Sequence, residues 1–118
     1  MGARRRDRRN QGRALVARSE VWWVEHPDLG RRPYLVLTRQ TAVPVLNAYI
    51  AVPATRTMRG IPTEVRIGVD DGMPDECVLA LDNLATVPKI FFVDRITRLG
   101  PNRLAEVCSA LAIATGCA

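Results

Sequence analysis

The sequence predicts a mainly β (α+β) domain, a small barrel with one helix packed against it at the C-terminus. Short β-branched and aromatic runs recur at close spacing with turn signals between them, which favours a small barrel over a sandwich of long strands. The last of these runs is followed by a segment with helical spacing and helix boundary signals. A length of 118 residues is that of one domain.

The first three strands are predicted from apolar runs bounded by turn residues. Residues 21–25 form the first, which ends at the turn cluster of residues 26–30. Residues 34–38 are a nearly unbroken apolar run, so we expect a central strand buried on both faces. Residues 47–53 are the third strand.

Four shorter strands are predicted downstream, at residues 63–69, 77–81, 85–87 and 95–99. Residues 70–74 are an evident loop, and Asp82 and Asn83 mark a kink between two strands. The last strand alternates apolar and polar residues, which indicates one exposed face.

The C-terminal helix has the clearest boundaries. Pro101 stands where proline is favoured at the first helical position, and Gly116 where glycine ends a helix. The apolar residues between them form one face that must be buried against the strands: Leu104, Val107, Cys108 and Leu111. We therefore expect Cys108 to lie in the core and the domain to be a small SH3-like barrel with a packed helix.

Composition excludes several classes of protein. Apolar residues are 47% and charged residues 25%, which rules out a mostly disordered chain. No apolar run approaches the ~20 residues that cross a bilayer, and no signal peptide is visible, so we expect a cytoplasmic protein. One histidine and three cysteines without a metal-ligand spacing predict reduced thiols, no bound metal and no cofactor.

The net charge of +5 is unevenly distributed. Residues 1–18 carry seven arginines and one aspartate (+6), whereas residues 19–118 carry ten basic and eleven acidic residues (−1). We therefore interpret residues 1–18 as a disordered arginine-rich arm and residues 19–118 as the folded domain. Within that domain, residues 31–66 hold six arginines and one acid, a pattern typical of a phosphate-binding face.

Four motifs resemble one known family. Residues 20–24 read EVWWV, residues 30–38 GRRPYLVLT, residues 52–65 VPATRTMRGIPTEV and residues 78–86 VLALDNLAT. In this order they are similar to the motifs of the MazF/PemK family of toxin–antitoxin endoribonucleases, and their residues most resemble those of mycobacterial members. The resemblance implies a toxin that cuts single-stranded RNA without a metal ion. It also implies a homodimer with a shared RNA groove, which a cognate antitoxin occupies with an acidic, disordered segment.

The family pattern also implies site residues. The catalytic arginine precedes the proline of the second motif and is Arg32 here. The catalytic threonine follows the VPx triplet of the third motif and is Thr55 here. Asp82 matches a family aspartate associated with RNA binding or catalysis, although an aspartate that forms a turn would look the same. The remaining RNA-binding candidates are Arg31, Arg56, Thr57, Arg59 and His26.

Chemistry supports the two catalytic candidates independently. Metal-free RNA cleavage must deprotonate a 2′-OH, stabilise an anionic phosphorane and protonate the 5′-leaving oxygen. A guanidinium donates bidentately to phosphate oxygens, and a threonine hydroxyl adds a donor to the same developing charge. The products would be a 2′,3′-cyclic phosphate and a 5′-OH, and the need for a 2′-OH restricts cleavage to RNA.

The sequence offers two candidates for the general base, Arg32 and His26. Arginine has a pKa above ~12 and accepts a proton only when desolvated among other cations, such as Arg31, Arg56 and Arg59 around Arg32. His26 belongs to the one residue type with an unperturbed pKa near neutrality, but its position fits an exposed turn residue beside Pro27 better.

Two other functions fit a chain of this kind. CcdB-like proteins share the barrel but poison a topoisomerase without catalysis, an activity associated with an aromatic C-terminal end. The last residues here are TGCA, which favours the nuclease. An inactive RNA-binding homologue is the second alternative.

Overall fold

We describe residues 16–117 in a computed structural model of the chain. This part folds into seven strands and one α-helix. The elements are β1 Glu20–His26, β2 Gly30–Val36, β3 Ala48–Thr55, β4 Glu64–Ile67, β5 Cys77–Ala80, β6 Ala85–Pro88, β7 Phe92–Arg98 and α1 Pro101–Thr115. Short 3-10 turns join several of them. The predicted α+β class, the number of strands and the C-terminal helix are therefore confirmed.

The strands form one antiparallel sheet in the order β4-β5-β3-β2-β1-β7, with β6 paired to β3. Strand β3 changes partner along its length, since its first half pairs with β6 and its last two residues pair with β5. The expected barrel is not closed: within residues 16–117 the edge strands β4 and β7 do not pair with each other. The architecture is an open sheet, for which barrel is too strict a word.

Two strands differ from their predicted bounds in a way that matters for the site. The β1–β2 hairpin runs to its tip, where His26 pairs with Gly30, so β2 begins four residues before the predicted start. Arg31 and Arg32 are consequently strand residues. At the other end, β3 continues to Thr55 because its last two residues find a partner in β5.

The sheet separates two hydrophobic clusters. Leu35 belongs to the first, with Val52, Leu79 and residues of α1, whereas Val36 belongs to the second, with Trp22 and Phe92. Both Leu35 and Val36 are fully buried, which confirms the prediction that this run is covered on both faces.

Helix α1 ends as predicted, and Leu104, Val107 and Leu111 of its predicted apolar face pack into the first cluster, but the prediction for Cys108 was wrong. Gly116 adopts a left-handed conformation (φ 70°), and the Cys117 N–H donates to the Ala112 carbonyl oxygen. Val107 and Ala110 are buried, whereas Cys108 is exposed. One residue beyond Val107 the helix has turned by about 100°, which carries the Cys108 side chain away from the sheet. No helix in the described part is long and apolar enough to cross a membrane.

The segment before β1 belongs to the fold from Val16 onward. Val16 is buried in the second cluster, and the Ala17 N–H donates to the Glu20 carboxylate. The Arg18 N–H donates to Gln40 Oε1 at 2.7 Å. Most of the predicted arginine-rich arm, residues 1–15, lies outside the described residues.

Candidate active site

A pocket of about 380 Å³ opens where β1, β2, the end of β3 and the loop before β5 meet. Its walls come from four separate stretches of the sequence. The residues that line it are Trp23, Arg31, Arg32, Pro33, Ala54, Thr55, Arg56, Thr57, Met73, Pro74, Asp75 and Cys77. Three arginines face one aspartate there, so the pocket is electropositive and suited to an anionic ligand.

Arg32 and Thr55 lie in this pocket together. Strands β2 and β3 pair as far as Tyr34 and Pro53, and Arg32 and Thr55 each stand two residues from that pair, where both line the pocket. Arg32 is exposed and Thr55 half-buried, so both side chains can reach a ligand.

The two side chains also have free hydrogen-bond donors. Within residues 16–117 no acid pairs with Arg32, and its guanidinium donates no hydrogen bond. The Thr57 N–H donates to Thr55 Oγ1 at 3.2 Å, which fixes the oxygen as an acceptor and leaves the hydroxyl hydrogen available. A phosphate placed between them would meet a bidentate donor and a hydroxyl donor.

Arg31 is held in place by three contacts. Its Nη1 lies 2.6 Å from Glu25 Oε2, and its Nη2 lies 3.5 Å from Asp94 Oδ2. Its guanidinium carbon stands 4.7 Å from the centre of the Trp23 ring, a cation–π geometry. Arg31 therefore contributes a fixed positive charge beside Arg32.

Arg56 is paired across the pocket with Asp75. Arg56 Nη2 and Asp75 Oδ2 lie 2.5 Å apart, and both side chains are largely exposed. The pairing of β3 with β5 accounts for the contact, because Thr55 pairs with Val78 and so brings the end of β3 close to the start of β5.

Three predicted RNA-binding residues lie outside the pocket. The Arg59 N–H donates to Glu64 Oε1 at 3.0 Å, which ties the loop after β3 to the start of β4. Asp82 accepts a hydrogen bond from the Thr63 hydroxyl at 2.6 Å. His26 Nδ1 accepts from the N–H groups of two residues of the β1–β2 turn, and its ring packs edge-on against Phe91. Their roles stay predictions.

Several pocket residues escaped the sequence analysis, which assigned residues 70–74 only to a loop. Trp23, Met73, Pro74 and Asp75 all line it. Cys77 lines it as a buried thiol whose pKa is raised by burial and by the nearby Glu76 carboxylate, so it stays protonated at neutral pH. No local pattern marks these residues: pairing of β3 with β5 brings the loop before β5 to the site, and Trp23 reaches it opposite Pro33 in the β1–β2 hairpin.

No metal site accompanies the pocket in residues 16–117, where no group of three His, Cys, Asp or Glu side chains could hold an ion. The side chains that line the pocket offer guanidinium and hydroxyl donors to an anion.

Comparison with known proteins gives the family. Residues 17–115 match the model of the PemK-like, MazF-like toxin of type II toxin–antitoxin systems. The chain belongs to this family. Its pocket therefore lies in a MazF-like domain, as the sequence motifs predicted.

Mycobacterial MazF proteins are among the similar sequences and structures. The chain is 43% identical to the probable endoribonuclease MazF2 of Mycobacterium tuberculosis over 103 residues, which is 86% of this chain and all of the relative. It is 39% identical to the probable endoribonuclease MazF5 of that organism, covering 88% and 96% of the two chains. A mycobacterial endoribonuclease solved with its cognate antitoxin superposes with a TM-score of 0.78 at 26% identity, covering 86% of this chain and 96% of the other.

Proposed function

We propose that this MazF-like chain is the toxin of a type II toxin–antitoxin pair and acts as an endoribonuclease on single-stranded RNA. The observation that carries the proposal is the meeting of Arg32 and Thr55, both with free donors, in an arginine-rich pocket. Membership of the family and likeness to endoribonucleases over most of the chain support the same activity.

The reaction is a transesterification within the RNA strand. The 2′-oxygen attacks the adjacent phosphorus and loses its proton, and the bond from phosphorus to the 5′-oxygen breaks as that oxygen gains a proton. The products are a 2′,3′-cyclic phosphate and a 5′-OH. Because every atom comes from the substrate, the step needs no metal-bound water and no cofactor.

Different pocket residues contact different parts of the RNA in this step. The Arg32 guanidinium donates to the non-bridging oxygens, whose charge grows in the phosphorane, and the Thr55 hydroxyl donates to the same group. Arg31, Arg56 and Thr57 bind the flanking phosphates and sugars, which fix the strand in register. Arg59, Asp82 and His26 extend the contact beyond the pocket.

The partners follow from the charge of the site. An acidic, disordered antitoxin segment is complementary to a pocket with three arginines and would exclude RNA from it. A structural neighbour was solved in complex with its cognate antitoxin. We further propose a homodimer that acts in the cytoplasm, with a nuclease domain that begins at Val16, a little before the expected residue 19, and follows the arginine-rich segment.

Incubation of the protein with mixed single-stranded RNA in excess EDTA tests this function. We expect cleavage at short, fixed sequences and products that carry 5′-OH and 2′,3′-cyclic phosphate ends, because the 2′-oxygen is the nucleophile. The ends are read by labelling with a 5′-kinase, which requires a free 5′-OH, and by mass spectrometry.

The alternatives give different results in the same assay. Cleavage that needs Mg²⁺ or leaves 5′-phosphates would contradict the mechanism. RNA binding without cleavage would indicate an inactive RNA-binding homologue. If the protein neither binds nor cuts RNA, the CcdB-like poison is favoured, and inhibition of a topoisomerase is then the measurement to make.

A further inference from the structure

The loop between β4 and β5 is anchored without any help from the pocket. Asp71 Oδ1 pairs with Arg103 Nε of helix α1 at 3.0 Å, and its Oδ2 accepts from the Gly68 N–H at 3.0 Å. The Asp71 carbonyl oxygen accepts from the Thr97 hydroxyl at 2.8 Å. These contacts tie the loop to the helix and to β7 without Asp75, and β5 begins at Cys77, two residues after it.

The Asp75–Arg56 pair at that far end is therefore not needed to hold the loop. Both partners are well exposed, with 56% of the Asp75 side chain and 79% of the Arg56 side chain accessible. Ion pairs that water can reach contribute little to stability, and another anion can replace one partner at small cost. The pair brings a carboxylate to a guanidinium at the place where a phosphate would bind.

Asp75 is also the single acid among the described residues that line the pocket, opposite Arg31, Arg32 and Arg56. Sequence-independent phosphate contacts supply much of the affinity for nucleic acid. The Asp75 carboxylate pairs with one of the three arginines, so it lowers this sequence-independent affinity for RNA. Arg32, which pairs with no acid of the described residues, stays available for the scissile phosphate.

We propose that Asp75 is a resident anion that competes with an RNA phosphate for Arg56, and that it thereby sets how tightly the cleft holds RNA. When RNA binds, one of its phosphates replaces the Asp75 carboxylate as the partner of Arg56. RNA strands that make few other contacts with the protein are therefore bound weakly. Asp75 thus favours selective over general binding. This inference rests on the proposed nuclease function and concerns the same pocket.

Asp75→Asn tests the competition, because it removes the charge and keeps the size of the side chain. The probe is a fluorescent, single-stranded, mixed-sequence RNA with 2′-O-methyl groups, which cannot undergo 2′-oxygen attack. We expect the dissociation constant to fall about three- to tenfold, as for removal of one close like charge. Asp70→Asn is the matched control, since Asp70 is an exposed acid of the same loop that does not line the pocket; we expect a change below about twofold.

The double variant Arg56→Ala/Asp75→Asn shows whether Asp75 acts through Arg56. If it does, the second substitution changes little once Arg56 is absent, and the double variant binds within about twofold of Arg56→Ala. Unchanged or weaker binding by Asp75→Asn would overturn the proposal. So would equal tightening by Asp70→Asn, or tightening that persists without Arg56.

Cleavage of unmodified RNA by the wild-type protein distinguishes failure of the Asp75 proposal from failure of the proposed nuclease function. If wild-type protein cuts RNA and Asp75→Asn does not tighten binding, the competition is wrong and the nuclease stands. If wild-type protein neither binds nor cuts RNA, both are wrong.

Discussion

Replacement of Arg32 by alanine is expected to lower kcat/KM for RNA cleavage by about 10³-fold. Among the pocket guanidiniums, that of Arg32 is the one that pairs with no acid of the described residues, so its full hydrogen-bonding capacity is available to the phosphorane. Arg31 and Arg56 are assigned to the flanking phosphates, so neither supplies the lost donor at the scissile phosphate. Initial rates on a labelled oligonucleotide that contains the mapped cleavage site give the measurement.

Two further variants sharpen this expectation. Arg32→Lys keeps the charge but loses the planar fork, so we expect an intermediate loss of about 10- to 10²-fold. Thr55→Val removes one donor while keeping the side-chain shape, and we expect a loss of about 10²-fold. Arg39→Ala is the control, because Arg39 is exposed and does not line the pocket. Equal activity of Arg32→Ala and Arg39→Ala, with both folded, would refute the assignment of Arg32.

Replacement of Glu20 by alanine is expected to lower the free energy of unfolding by about 3 kcal/mol. Glu20 is a buried carboxylate with four partners. Its Oε1 accepts from the Ala17 N–H at 2.8 Å and from the Trp22 indole N–H at 3.0 Å, and its Oε2 pairs with Arg95 and Arg98. Without the carboxylate, the buried indole N–H has no acceptor.

Urea unfolding at equilibrium measures this loss. Glu20→Gln keeps one acceptor oxygen and should cost about half as much. Glu106→Ala is the control, because Glu106 is half-exposed and pairs only with Arg103 among the described residues, so its removal should cost less than about 0.5 kcal/mol. Equal effects of Glu20→Ala and Glu106→Ala would contradict the role of Glu20 as an anchor of β1.

Much of the fold was predictable because its signals are local. Strand runs such as 21–25 and 77–81 end at turn residues, and Pro101 and Gly116 bound the helix through their own backbone preferences. The predictions were wrong where contacts between distant parts of the chain determine the structure. Cys108 shares the helical spacing of the apolar face, but only the sheet determines which side of α1 is buried. Closure of the barrel depends on edge strands far apart in sequence.

Arg32 and Thr55 were predicted from motifs, and the structure places both in the lining of one pocket. Their catalytic roles stay predictions. Asp75 could not be found in this way, since nothing in a loop sequence reveals that the pairing of β3 with β5 places it against Arg56. His26 and Asp82 show that a candidate chosen from the sequence need not line the pocket. The His26 ring accepts a hydrogen bond from its own turn, and the Asp82 carboxylate accepts one from a neighbouring loop.

A crystal structure of the protein with a 2′-O-methylated RNA across its mapped cleavage site tests the central claim most directly. We expect the phosphate at the cleavage site to accept hydrogen bonds of about 2.7–3.1 Å from both the Arg32 guanidinium and the Thr55 hydroxyl, with the 2′-oxygen in line behind the phosphorus. A phosphate bound elsewhere on the surface, or one that contacts neither side chain, would contradict it.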